Sequence, residues 1–207
     1  SIALAAATCR LAIRARLGYD QTAEELALRC VPVLRARNME RELGRCLCAL
    51  GIGAVYRDDF ASAVSFLKEG IQLARATGDP LTEAGGLMDQ GFAHLLMGEL
   101  DAAGKLFDAA NVACKKLGNP IFRAYGMGKL GLLADAEQRY GDALRMHLEG
   151  YELFTSVGEA AGTGYALTRA SGSAFALGDY PQALRLSRAG FDAFSESNHR
   201  WGVITAL

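Results

Sequence analysis

Residues 91–120 read GFAHLLMGELDAAGKLFDAANVACKKLGNP. Apolar positions Leu87, Met88, Gly91, Phe92, Leu95 and Leu96 lead into this stretch at spacings of three and four, the mark of one helix face. The face stops at Met97-Gly98-Glu99, and a second one follows at Leu100, Ala103, Phe107, Ala110 and Cys114. Gly118, Asn119 and Pro120 then supply a helix stop, an N-cap and a first helical position. The stretch is a helix, a tight turn, a second helix and a boundary.

The same design recurs along the chain. Segments 41–80, 81–120, 121–160 and 161–200 align without a gap, and residues 1–40 follow more loosely. One column reads Gly51, Gly91, Gly131, Ser171, and twelve residues later another reads Ala63, Ala103, Ala143, Ala183, with Ala23 in the first unit. The boundary column holds Asn38, Gly78, Gly118, Gly158 and Asn198, the residue types that tolerate a left-handed helix end. Breaker-rich turns recur within units at Arg57-Asp58-Asp59 and Leu177-Gly178-Asp179. Pro32 falls inside the second helix of the first unit, where a kink or early end is expected. No two-residue alternation persists, so no strands are expected. The small columns should let helices approach closely, and the bulky column Phe60, Leu100, Tyr140, Tyr180 should wedge between units.

This spacing resembles the tetratricopeptide repeat (TPR). That family's small-residue pattern, a Gly, an Ala twelve later and another small residue seven further on, is matched at Gly51–Ala63–Gly70, Gly91–Ala103–Ala110 and Gly131–Ala143–Gly150, and in form at Ser171–Ala183–Gly190. The first unit departs from it, with Leu11 and Cys30. The expected fold is all-α, a right-handed α-solenoid of five TPR-like helix pairs plus the start of a sixth. It forms a single superhelical domain over 1–207, with units 1–40, 41–80, 81–120, 121–160 and 161–200 and a partial one at 201–207. Units of forty residues exceed the usual 34. Together with Leu73-Ala74-Arg75-Ala76-Thr77-Gly78-Asp79-Pro80, they are similar to the sensor region of bacterial maltose-activator-like and SARP-like transcriptional regulators, and to Pins/LGN-type polarity adaptors. The Ala-, Arg- and Gly-rich composition favours the bacterial group.

In a stack of this family's pairs the first helices line the concave side. A helical-wheel arc drawn around the Gly column gathers Arg45, Ile52, Tyr56, Met88, Phe92, Tyr125, Leu132, Tyr165 and Phe175, and Asp135 lies on the same arc. These nine are the candidate partner-binding residues of an apolar, aromatic groove, the kind of surface that marks a binding site. Chaperone-binding relatives clamp a carboxylate with Lys and Asn. The matching columns here, Thr8, Cys48, Met88, Gly128, Thr168 and Ala12, Ile52, Phe92, Leu132, Gly172, contain neither.

Chemistry is harder to find. Gly126-x-Gly128-x-x-Gly131 matches a dinucleotide fingerprint by letter, yet it follows no strand and sits within a helical pattern. His94, His147 and His199 lie too far apart in the array to share a metal, and His147 stands where Leu67 and Phe107 stand in sister units. Cys46 and Cys48 point roughly 200° apart on a helix, and the five cysteines read as packed, reduced thiols of a cytoplasmic protein. No catalytic residue, metal or cofactor is expected. A net charge of −1 argues against direct nucleic-acid binding, and no apolar run reaches membrane-span length.

The sequence therefore points to a non-catalytic scaffold that binds a protein or peptide in the groove, as the sensor or interaction region of a bacterial transcriptional regulator. Two alternatives stand beside it: a small-molecule effector sensor within a signal-transduction ATPase, and a self-association module. The chain opens inside a helical pattern without Met and closes on Trp201, Val203, Ile204 and Leu207, so a longer parent chain or homo-oligomeric packing through that end is expected.

Overall fold

The structure, a computed structural model, describes residues 21–196. Among these, nine helices follow one another and no strand occurs: α1 (Gln21–Ala36), α2 (Glu40–Val55), α3 (Phe60–Ala76), α4 (Pro80–Leu96), α5 (Leu100–Leu117), α6 (Pro120–Ala136), α7 (Tyr140–Ser156), α8 (Ala160–Ala176) and α9 (Tyr180–Glu196). The expected all-α repeat fold is therefore present. Ser171 lies in α8, and the letter-match to a dinucleotide loop lies wholly inside α6.

The turns explain the regularity. Asn38, Asp58, Gly78, Gly98, Gly118, Gln138, Gly158 and Gly178 all take positive φ, between 53° and 83°. They fall every twenty residues, so both helices of each pair end in the same left-handed cap. At most of them the cap's amide bonds the carbonyl three residues back and the next amide reaches five back. Asp79 N to Ala74 O, at 2.8 Å, is one case. This double bond closes the helix and turns the chain into the next one. Several of the new helices then start on side-chain caps, whereas α2 and α7, which follow Met39 and Arg139, have none. Asp59 accepts from the Ser62 amide, Asp79 from Thr82, Asn119 from Ile121 and Asp179 from Gln182. Pro80 and Pro120 occupy first helical positions, as their place after Asp79 and Asn119 requires.

Two expectations need correction. Helix α1 runs through Pro32 to Ala36, so no early end occurs there. The bulky column also does not wedge fully into the stack: Phe60, Leu100 and Tyr140 are half-buried, and Tyr180 is exposed with its ring edge-on to Phe175 at 5.3 Å.

The chain packs as two compact units, divided between Ala113 and Cys114 within α5. In the first, α1, α2, α3 and α4 pack in sequence order, and α2 also meets α4. Its core gathers Ala27, Leu34, Leu43, Cys46, Leu47 and Leu50, with Phe66 and Leu73 against it. In the second, α6, α7, α8 and α9 pack in order, and α6 meets α8, with Phe154 buried between Ala124 and Ala166.

The small columns have two uses. A Cβ on Gly70 would lie 2.9 Å from the Gly44 carbonyl oxygen and 3.0 Å from the Cys48 nitrogen, so α2 and α3 touch backbone to backbone there. The first-helix glycines instead make room for one large side chain from the second helix. A Cβ on Gly51 would come 2.8 Å from Leu67 Cδ2, and one on Gly91 would come 2.6 Å from Phe107 Cδ1. Leu67 and Phe107 are fully buried in these seats.

Candidate functional site

Helix α2 contributes Arg45, Ile52 and, at its end, Tyr56; α4 contributes Met88 and Phe92. All five belong to the first unit. Tyr125 and Leu132 lie on α6, and Tyr165 and Phe175 on α8, in the second. Every one therefore sits on, or caps, the first helix of a pair.

Their exposure divides them. Ile52, Met88 and Leu132 are buried. They fill the helix packing and are not presented to a partner, so the expectation that they line an open groove is corrected. The cause is contact between first helices: α2 meets α4 and α6 meets α8, which covers one flank of the arc. The aromatic residues are more open. Tyr56 is 48% exposed, Tyr125 41% and Phe175 64%, while Phe92 and Tyr165 are half-buried. Tyr125 is steadied edge-on by Phe154 at 5.0 Å, and the Arg169 guanidinium stacks over the Tyr165 ring at 5.2 Å. Gly172 is exposed, and a Cβ there would meet nothing within 4 Å, so α8 offers bare backbone beside Phe175.

Arg45 has a structural partner. Its Nε donates to Asp79 Oδ2 at 2.6 Å, and Arg41 stands 3.6 Å from the same oxygen. Asp79 is only 2% exposed and also takes the Thr82 hydroxyl at 2.9 Å. Burial raises the Asp79 carboxyl, but the Arg45 and Thr82 bonds outweigh it and hold the group below its ordinary value. Arg45 thus ties α2 to the start of α4.

The histidines are likewise engaged. His94 Nδ1 lies 2.6 Å from Glu99 Oε2 across a turn. His147 is fully buried, with its Nε2 3.1 Å from Asp135 Oδ2. Ser173, also fully buried, donates to Asp135 Oδ1 at 2.8 Å. Sequence reasoning placed Asp135 on the arc and noticed His147, but it passed over Ser173. The available signal was that all three break columns that are otherwise small or apolar. His199, Cys9 and the apolar 201–207 end lie outside the described residues. Cys30, Cys46, Cys48 and Cys114 are buried thiols, and burial pushes the Cys114 thiol up. Among the described residues, no group of three His, Cys, Asp or Glu could hold a metal, and no helix is long and apolar enough to cross a membrane.

Helical hairpins recurring every forty residues, with small residues at the crossings, define a TPR-like helical-repeat fold. Known structures agree at the level of fold. BtubC (BKLC) from P. vanneervenii matches with a TM-score of 0.70 at 16% identity, over 84% of this chain and 72% of that one. The apo form of RapI matches with a TM-score of 0.72 at 13% identity, over 84% of this chain and 65% of its own. A Podosopora anserina protein described as a putative kinesin light chain with nearly identical TPR-like repeats matches at 0.66 and 14% identity, over 92% and 94% of the two chains. No protein-family model matches the chain, and no curated protein sequence matches it.

Proposed function

We propose that this chain is a non-catalytic scaffold that binds a protein or peptide along the first helices of its pairs. The observation that carries this reading is the set of open aromatic side chains on those helices: Tyr56 in the first unit, Tyr125 and Phe175 in the second. Within each unit, rigid aromatic rings on packed helices bind apolar peptide side chains at low entropic cost. The absence of a Lys/Asn clamp in the matching columns favours capture of an internal segment over a C-terminal carboxylate. We place the scaffold in the sensor or interaction region of a cytoplasmic bacterial transcriptional regulator, on the resemblance of its forty-residue units to those proteins.

Selection of short peptides on the purified chain tests the reading. Bound peptides should lose affinity for Tyr125→Ala and Phe175→Ala while far-ultraviolet circular dichroism stays unchanged. Peptides that bind both variants as well as the wild type would remove the aromatic face from the site. A thermal-shift response to sugars or other metabolites, with no peptide selected, would favour the effector-sensing reading, because a ligand at 100 times its dissociation constant adds about 2.7 kcal/mol.

A further inference from the structure

Three departures from the forty-residue pattern meet at one place in the second unit. Asp135 stands in a column otherwise filled by Val55, Leu95 and Phe175. Leu67 and Phe107 precede His147 in its column, and Gly53, Ala93 and Leu133 precede Ser173. The structure joins the three. Ser173 Oγ donates to one oxygen of Asp135 at 2.8 Å, and His147 Nε2 meets the other at 3.1 Å. Ser173 also lies 3.3 Å from the Arg169 carbonyl. The His147 ring rests in the seat left by Gly131, and its Nδ1 is buried with no partner. That arrangement orients the ring with Nε2–H donating to the carboxylate.

Asp135 differs from its two holders in reaching solvent: its side chain is half-buried, at 28% exposed, whereas theirs are fully buried. Among the described residues, no Lys or Arg pairs with it. On the same first helix, Leu132 and Tyr125 lie on the arc that holds it. Apolar residues of the sister columns would serve the packing at least as well as a buried polar trio. What the trio adds is one negative charge, held in place by two donors and facing outward.

We propose that the Asp135 carboxylate receives the cationic end of a lysine or arginine from a bound peptide, in an otherwise apolar contact. This rests on the peptide-scaffold reading and adds a specificity to it. The pre-oriented oxygens suit a charge-assisted hydrogen bond, and a fixed acceptor loses little freedom on binding.

A positional-scanning library of short capped peptides, read by fluorescence anisotropy, tests the proposal. Wild type should favour Lys or Arg at one position between apolar residues. Asp135→Asn should bind those peptides about tenfold or more weakly, the scale of one charge-assisted bond. Replacing the basic residue by norleucine should abolish the difference between the two proteins. A triple variant, Asp135→Val with His147→Leu and Ser173→Ala, restores the sister columns. It should melt no lower than wild type and bind the basic peptides as weakly as Asp135→Asn. Peptides that bind without a basic preference, or a loss in Asp135→Asn that persists with norleucine, would overturn this proposal alone. If no peptide binds at all, the scaffold reading falls and this one with it.

Discussion

Gly131→Ala offers a sharp test of how the hairpins fit. A Cβ at this position would lie 2.7 Å from Nδ1 and 2.8 Å from Nε2 of the His147 ring, with Cε1 closer still. The ring is fully buried and tied to Asp135, so it cannot swing aside freely. Gly172→Ala, inside α8, is the control, since a Cβ there meets nothing within 4 Å. Both substitutions gain about 1 kcal/mol of helix propensity. The gain is shared, so the difference between the variants isolates the clash, about 1–3 kcal/mol for overpacking a filled site. Gly172→Ala should melt higher than wild type. Gly131→Ala should melt lower than Gly172→Ala, by roughly 2–4 °C per kcal/mol in a chain of this size. Thermal and urea melts followed by circular dichroism measure both. Equal melting of the two variants would refute the seat built from Gly131 and His147, and by extension those of Gly51 with Leu67 and Gly91 with Phe107.

Gln138 holds φ at 60° where most sister turns use glycine, a conformation that costs an ordinary residue about 1–2 kcal/mol. Gln138→Gly should therefore raise stability by up to about 1 kcal/mol after glycine's own entropy is counted, and a lower melting point would contradict the repeated cap. Asp79→Asn keeps the helix cap but removes the charge facing Arg45, and should cost about 1 kcal/mol at neutral pH, since Arg45 is partly solvated. The folded Asp79 carboxyl is held below its ordinary value, so its contribution is present above the ordinary carboxylate value and is lost as pH falls through the lower folded one. Wild type and Asp79→Asn should thus converge in acid urea titrations. A gap that persists there would mean the loss comes from the cap.

The period and the pairing of helices were legible because the boundary column carries only Gly and Asn, and each has one conformational use. The twenty-residue spacing of the caps was only partly legible, because Gln138 occupies a left-handed position without looking like a stop. Pro32 shows the opposite: a residue that usually breaks helices lies inside α1, and the early end does not occur. In the candidate site, a helical wheel ranked direction but not cover. It selected Ile52, Met88 and Leu132 along with Tyr56 and Phe175, and only the packing of α2 on α4 and of α6 on α8 separates buried from open. The Arg45–Asp79 pair joins residues thirty-four apart in sequence, a contact that the spacing within one helix cannot show.

Amide hydrogen exchange with and without a selected peptide measures the scaffold claim most directly. Slowed exchange should concentrate in α2, α4, α6 and α8, with α3, α7 and α9 unchanged. Protection confined to the second helices of the pairs would contradict the account.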